Sequence, residues 1–334
     1  MNFLSEEELL RCAHVVSIPL AQEFRGISER VVMLFDGAGG AAEWSPFREY
    51  EDREAARWLR STLEQLTSPV EPLEHPINVN GLVPLIDATE VRNAIKTAGN
   101  PTTVKVKVGG VGTNWSKDLA RVAAVRDAIG PEGKIRIDVN GSWVFDEALD
   151  ALNQLQKFDI DYVEQPVSDI QEMARLRLAL KETGIRVAAD ESIRRSGELD
   201  FLLSSSACDV AVLKVQPVGG LENSRRIVEK VVAAGLEVVV SSALESSVGL
   251  YQGFQMVKWI GDSGYPTLVA GLGTQNLLLK DVVADPLRCE DGFVQPHKPI
   301  LDYAKISELE VSNGEAEWWR KRLKRCLRLL QSPE

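Results

Sequence analysis

From residue 77 onward, short apolar runs alternate with longer stretches whose apolar residues recur every three or four positions. The runs INVNGLVPL (77–85), TVKVKVG (103–109), KIRIDVN (134–140), YVEQP (162–166), RVAADES (186–192), VAVLKVQ (210–216), EVVVSSA (237–243) and, more weakly, TLVAGLG (267–273) predict eight strands. Between them, DLARVAAVRDAIG, ALDALNQLQKF, IQEMARLRLALKETG and ENSRRIVEKVVAAG predict amphipathic helices, several of them closed by glycine. Strands that alternate with helices are parallel strands joined by crossovers. The spacing suits a closed β/α barrel, for which about 200 residues is enough. An open doubly wound sheet is the alternative. No GxGxxG opens a helix after the first strand, which ranks it second.

The first 75 residues follow another pattern. VVSIPL and RVVMLF predict two strands around a turn at Phe24-Arg25-Gly26. Gly37, Gly39 and Gly40 predict a flexible tip, and AAEWSPF a third extended run. Residues 52–66 predict a helix, with Ala55, Ala56, Leu59, Leu63 and Leu66 at helical spacing and Pro69 and Pro72 stopping it. This α+β unit is too small to be the main core. The expected division is 1–76 for an N-terminal α+β unit, 77–285 for the barrel and 286–334 for a returning tail. The tail ends in EAEWWRKRLKRCLRLL, with Trp318, Leu323, Leu327 and Leu330 near helical spacing. It reads as a helix that docks its Trp/Leu face on the body. A basic membrane-surface helix is the alternative, disfavoured by the short segment and the acidity of the whole.

Composition narrows the function. The chain has 334 residues, 44% of them hydrophobic and 26% charged, as in ordinary globular proteins. Its net charge of −11 argues against a nucleic-acid partner, which requires a basic patch. Four cysteines, Cys12, Cys208, Cys289 and Cys326, show no CxxC spacing, so a reducing, cytoplasmic setting is expected. No apolar run of about 18 residues exists and the N-terminus shows no signal-peptide pattern, so no membrane partner is expected. The three histidines, His14, His75 and His297, lie far apart, which disfavours a histidine metal site.

The chemistry starts at TVKVKVGG. Strand alternation points Lys105 and Lys107 to one face and the valines between them to the other. A half-exposed edge strand would account for that pattern alone. The carboxylates change the balance, because barrel chemistry sits at C-terminal strand ends. KIRIDVN ends with Asp138 and Asn140 on one face, YVEQP with Glu164, and RVAADES with Asp190 and Glu191. Asp138, Glu164 and Asp190 are spaced 26 residues apart, one β/α unit each. A single strand-end acid is commonly a helix N-cap. Three on one rim repel unless a cation neutralises them, and Mg²⁺ suits oxygen ligands with open positions. Lys214 comes one strand later and Lys107 one strand earlier, flanking the trio. A second lysine and a divalent cation lower a lysine pKa from about 10.4 toward a usable base. The set suits proton abstraction beside a carboxylate, with Lys107 as the base and the metal holding the carboxylate.

In this order, KVKVG, RIDVNGSW, YVEQP, AADES, VLKVQPVGG, SSALESSVGL and GLGT resemble the enolase superfamily over nearly the whole chain. Lysine with magnesium is that superfamily's known device. FRGI, EWSPFREY, ADESIRR, SSALESSVG, GLGT and EWWRKRLKRC resemble its o-succinylbenzoate synthase family, in the muconate-lactonizing-enzyme-like subgroup. The resemblance implies a (β/α)7β barrel with a capping domain built from the N-terminal region and the tail. It implies a hydro-lyase of menaquinone biosynthesis that dehydrates 2-succinyl-6-hydroxy-2,4-cyclohexadiene-1-carboxylate, a small-molecule carboxylate. It further implies Lys107 as base and then acid, Lys214 steadying the enediolate by a cation–π contact, and Asp138, Glu164 and Asp190 binding Mg²⁺. Lys105 and Asn140 would line the carboxylate end, and Ser241, Ser242 and Gly271 would meet the succinyl tail. Capping-domain contacts around Arg25 or Gly37–Gly40 do not carry over cleanly.

Other readings stay open on the residues alone. Two lysines on opposite faces equally suit an N-acylamino acid racemase, another epimerase or a cycloisomerase. Gly271-Leu272-Gly273-Thr274, in place of an Asp-x-Asp, disfavours a dipeptide epimerase. A Schiff-base barrel would not need the carboxylate trio, and a non-catalytic scaffold would not need the lysines either. Nothing in the sequence sets an oligomeric state.

Overall fold

Among the described residues, two larger sheets of different kind and one two-stranded pair carry the chain. The computed structural model describes residues 5–331, with residues 25, 38, 69, 70, 111–113 and 196 apart. Arg25 in the expected turn and Pro69, the expected helix stop, therefore lie outside the described residues.

The strands β1 (Ala13–Phe24), β2 (Ile27–Gly37) and β3 (Gly40–Trp44) form an antiparallel sheet in that order. The helix Asp52–Thr67 follows. Its buried face includes the expected Ala55, Ala56, Leu59, Leu63 and Leu66, plus Trp58. The C-terminal helix Asn313–Gln331 packs into the same core, where Trp44, Phe47, Trp58, Leu63, Trp319, Leu323 and Leu327 meet. A leucine or phenylalanine removed from water in this way contributes about 1.5–3 kcal/mol. The tail thus docks on the N-terminal unit. Its buried face is centred on Trp319, which meets Trp44 edge to face at 5.6 Å, while Trp318 is only partly buried.

The second sheet is parallel and contains, among the described residues, β5 (Gly81–Val83), β6 (Thr103–Lys107), β7 (Lys134–Asp138), β8 (Ile160–Glu164), β9 (Arg186–Ala189), β10 (Val210–Lys214) and β11 (Glu237–Ser241), adjacent in chain order. The expected strand 77–85 is split. Its first part, β4 (Ile77–Asn78), pairs antiparallel with β12 (Phe293–Val294).

The weak eighth strand, 267–273, builds no ladder of its own. It closes the barrel through isolated parallel bridges, Val238 to Thr267, Ser241 to Gly271 and Val79 to Ala270. Gly271 N donates to Val240 O at 2.7 Å, and Asn80 N to Ala270 O at 2.8 Å. Glycine is required for that close approach. A Cβ at Gly271 would stand 2.6 Å from Ser241 Oγ, and one at Gly273 2.5 Å from Asn80 O. No described helix is long and apolar enough to cross a membrane.

Candidate active site

Register places the chemistry. Lys107 pairs with Asp138 and Asp138 with Glu164, so one lysine and two acids stand side by side at the ends of β6, β7 and β8. Lys105 lies two residues deeper on the same face. Valines 104 and 106 are fully buried on the other face, as the alternation requires. Arg121, from the helix Trp115–Ile129, donates to the Lys107 carbonyl at 3.0 Å and fixes the strand end.

Past β9 the chain turns sharply to present Asp190. Gln165 makes that turn: its Oε1 accepts from Asp190 N and Ser192 N, each at 3.2 Å. Gln165 is 1% exposed with φ +40°, and Asn140 has φ +52°. Non-glycine residues in the left-handed region cost about 1–3 kcal/mol each and concentrate at functional sites.

The three carboxylates are buried and meet three lysine side chains. Lys105 Nζ stands between Asp138 and Glu164, 3.1 Å from Asp138 Oδ2 and 3.0 and 3.1 Å from the two Glu164 oxygens. Lys107 Nζ is 2.7 Å from Asp138 Oδ2 and donates to Asn140 Oδ1. Lys214 Nζ donates to Asp190 Oδ2 at 2.6 Å. The expected arrangement of lysines flanking acids is therefore present, and Lys105 is a direct partner of two of the acids.

The pKa directions follow from this packing. Burial lowers Lys107; Asp138 opposes the shift and Lys105 adds to it. A second lysine and a cation are the causes expected from the sequence; burial is the largest cause here, and Lys105 adds to it. Burial also works against the Lys214 charge, but the surrounding acids, Asp190 first, together leave its pKa raised. Glu164 is pushed up to about 7 by burial and by Asp138, against the pull of Lys105.

Among the described residues, no group of three or more acids, histidines or cysteines stands in metal-holding geometry. The donor set nonetheless fits a hard divalent cation. It offers three buried carboxylates, and Asp190 Oδ1 is buried without a hydrogen-bond partner.

The remaining expected residues line the same cleft, with one distinction. Ser241 and Gly271 face each other across the seam, Ser241 Oγ donating weakly to Gly271 O at 3.4 Å. Ser242 has its hydroxyl fully engaged: it donates to Glu245 Oε2 and accepts from Leu244 N and Thr274 Oγ1. Phe24, Phe47, Tyr50 and Trp58 of the N-terminal unit, with Leu82, Glu191 and Arg194, are also part of the lining. Phe24 holds its ring 5.6 Å from Lys107 Nζ. FRGI and EWSPFREY contain Phe24, Phe47 and Tyr50, but nothing in those motifs marks the rings as lining the site, and Trp58 is hidden in the helical pattern of residues 52–66.

Two buried cap residues hold the loop after β11 from behind. Arg30 donates through Nε to Leu244 O at 3.1 Å and stacks on Phe47 at 4.1 Å. Leu244 has φ +66°, a conformation this grip helps to hold. Glu43 accepts from Ser45 Oγ at 2.6 Å and from Ser246 N and Gly249 N, at the start of the helix Ser247–Asp262. Burial pushes Glu43 up to about 7 from 4.5, with Ser246 and Ser45 pulling it down and Glu245 pushing it up. A raised carboxyl stabilises the fold fully below about pH 4.5, and that contribution is lost as pH rises through about 7. The shift corresponds to about 3 kcal/mol. Glu164 contributes with the same sign. Glu43→Gln is expected to flatten part of the stability loss between pH 5 and pH 8 in urea titrations. An unchanged slope would show that Glu43 does not titrate there.

Comparison with known proteins gives the family. A family model described as Enolase C-terminal domain-like matches residues 86–299, and one described as Enolase N-terminal domain-like matches residues 15–66. An o-succinylbenzoate synthase from Thermobifida fusca is 40% identical over 309 residues, covering 92% of this chain and 93% of that protein. One from Mycobacterium leprae is 37% identical over 325 residues, covering 97% and 93%. The chain belongs to the o-succinylbenzoate synthase family of the enolase superfamily.

Solved structures show the fold of this family more widely. Muconate lactonizing enzyme from Pseudomonas fluorescens superposes with a TM-score of 0.72 at 19% identity, covering 90% of this chain and 98% of that one. N-succinyl Arg/Lys racemase from Bacillus cereus gives 0.68 at 20% identity, covering 90% and 97%. At such identities the match carries the fold alone. The o-succinylbenzoate synthase family is therefore assigned from sequence similarity, and the barrel with its cap from both kinds of comparison.

Proposed function

We propose that the chain dehydrates 2-succinyl-6-hydroxy-2,4-cyclohexadiene-1-carboxylate to o-succinylbenzoate and water, in the cytoplasm, as a step of menaquinone biosynthesis. The observation that carries this reading is the run of Lys107, Asp138, Glu164, Asp190 and Lys214 across five consecutive strands or strand ends, with the three acids buried, in a family member. The proposed division is a cap of residues 1–76, a barrel of 77–285 and a segment 286–334 that returns to the cap.

In this reading Asp138, Glu164 and Asp190 would hold Mg²⁺, which would supply positive charge at the substrate carboxylate. Lys107 Nζ, neutral in the reactive form, takes the proton next to that carboxylate. The electron pair passes into the carboxylate as an enediolate. Lys214, whose raised pKa keeps it an ammonium, stays opposite as a fixed positive charge. The Lys107 ammonium then returns its proton to the departing hydroxyl on the same face, so C–H and C–OH are lost as water and the ring becomes aromatic. Lys105 and Asn140 hold the base end, and Ser241 and Gly271 face the succinyl tail. Ser242 acts from behind, bracing the loop.

The second reading, an N-acylamino acid racemase, uses the same two lysines. The test runs both reactions on one preparation: appearance of aromatic product from the cyclohexadiene, and α-proton exchange of N-succinylamino acids in D₂O. Dehydration at a kcat/KM well above exchange supports the proposal. Exchange without dehydration overturns it.

A further inference from the structure

Arg194 ends the short helix Glu191–Arg194 after β9, and its guanidinium meets carboxylates from two parts of the molecule. Nη1 donates to Glu54 Oε1 at 3.2 Å, on the helix Asp52–Thr67. Nη2 donates to Glu191 Oε1 at 3.3 Å. Nε lies 3.9 Å from Asp190 Oδ1, the buried oxygen without a hydrogen-bond partner. The guanidinium carbon is 5.8 Å from the centre of the Tyr50 ring.

The chain of contacts continues to the base. Glu191 Oε1 also accepts from Asn140 Nδ2 at 3.4 Å, and Asn140 Oδ1 accepts from Lys107. Glu54, Arg194, Glu191 and Asn140 therefore form one connected path from the cap helix to Lys107, with Asp190 on a side branch. A solvent-exposed ion pair would be a minor feature. Arg194 differs in two respects: its side chain is only 14% exposed, and one of its partners belongs to the carboxylate trio. Groups behind a metal-ligating carboxylate orient it and tune its affinity.

We propose that Arg194 is a positioning residue that makes the barrel's cation affinity depend on cap docking, through Glu54. The inference rests on the reading of Asp138, Glu164 and Asp190 as the cation ligands. Linkage makes the dependence mutual: a cation bound by the trio tightens cap docking by the same factor.

Free Mn²⁺, counted by electron paramagnetic resonance during titration of the full chain, tests this. Four proteins are compared: wild type, Glu54→Gln, Arg194→Lys and the double variant. Lysine keeps the charge and removes the fork, which separates geometry from net charge. Glu54→Gln is expected to weaken Mn²⁺ binding about fivefold or more in the wild-type background and to add nothing in Arg194→Lys. Circular dichroism confirms that each variant is folded. Hydrogen exchange gives an independent reading. Mn²⁺ should slow exchange in the helix Asp52–Thr67 of the wild type and not of Arg194→Lys. Equal Mn²⁺ affinity in wild type and Glu54→Gln overturns the proposal, as does an equal loss in both backgrounds. A folded wild type that binds no Mn²⁺ overturns the cation reading itself.

Discussion

Lys107→Ala should lower kcat by about 10⁴-fold or more, with circular dichroism and thermal melting close to wild type. The size follows from the two proton transfers assigned to one nitrogen. Burial and Lys105 lower the Lys107 pKa, the direction a base requires, while Asn140 and Asp138 fix where Nζ points. The fold should survive because the deletion leaves Asp138 paired with Lys105 at 3.1 Å. Since the base acts when neutral, wild-type kcat/KM should rise with pH up to the Lys107 pKa. Steady-state assays on the purified variant check the first expectation, and near-normal turnover would remove Lys107 from the mechanism.

The second large effect is expected from Glu164→Gln. Glu164 is fully buried between Asp138 and Asp190 in strand order, and Lys105 contacts both of its oxygens. A neutral amide removes one of three negative charges from the proposed cation site and leaves Lys105 with Asp138 alone. Changes behind a metal ligand typically cost about 10–100-fold in affinity, so loss of a ligand should cost at least about 100-fold. Ligand binding raises Tm by mass action. Millimolar Mg²⁺ should therefore raise the wild-type Tm and leave the Glu164→Gln Tm unmoved. An equal rise in both would mean that Glu164 does not hold the cation.

Much of the site was legible in the sequence because strand periodicity is a local rule. Lys105, Lys107, Asp138 and Glu164 are each placed by two-residue alternation and by one β/α unit of spacing, and the ladder register brings them together. The tail helix was legible for the same kind of reason. Its face turned out to be centred one position on, at Trp319, because the neighbouring Trp44 sets the contact. The eighth strand was legible only weakly, since a segment that closes a barrel by isolated bridges around Gly271 and Gly273 has little periodicity to show.

What could not be read depends on long-range contacts. Nothing near Arg30 in sequence marks it as a partner of Leu244, 214 residues away. The same holds for Glu43 with Ser246 and for Glu54 with Arg194. The engagement of Ser242 is likewise invisible until Thr274 is brought beside it. In each case the cap or the seam supplies a polar partner that only the folded chain defines. Gln165 stood in plain view within YVEQP, but its role required knowing that its backbone enters the left-handed region.

The most direct test of the account is the loss of cyclohexadiene absorbance on adding 2-succinyl-6-hydroxy-2,4-cyclohexadiene-1-carboxylate to the full chain, first with Mg²⁺ and then after EDTA. Rapid conversion to the aromatic product with Mg²⁺, abolished by EDTA and restored by excess Mg²⁺, is the expected result. No conversion by folded protein in Mg²⁺, or equal conversion in EDTA, would contradict it.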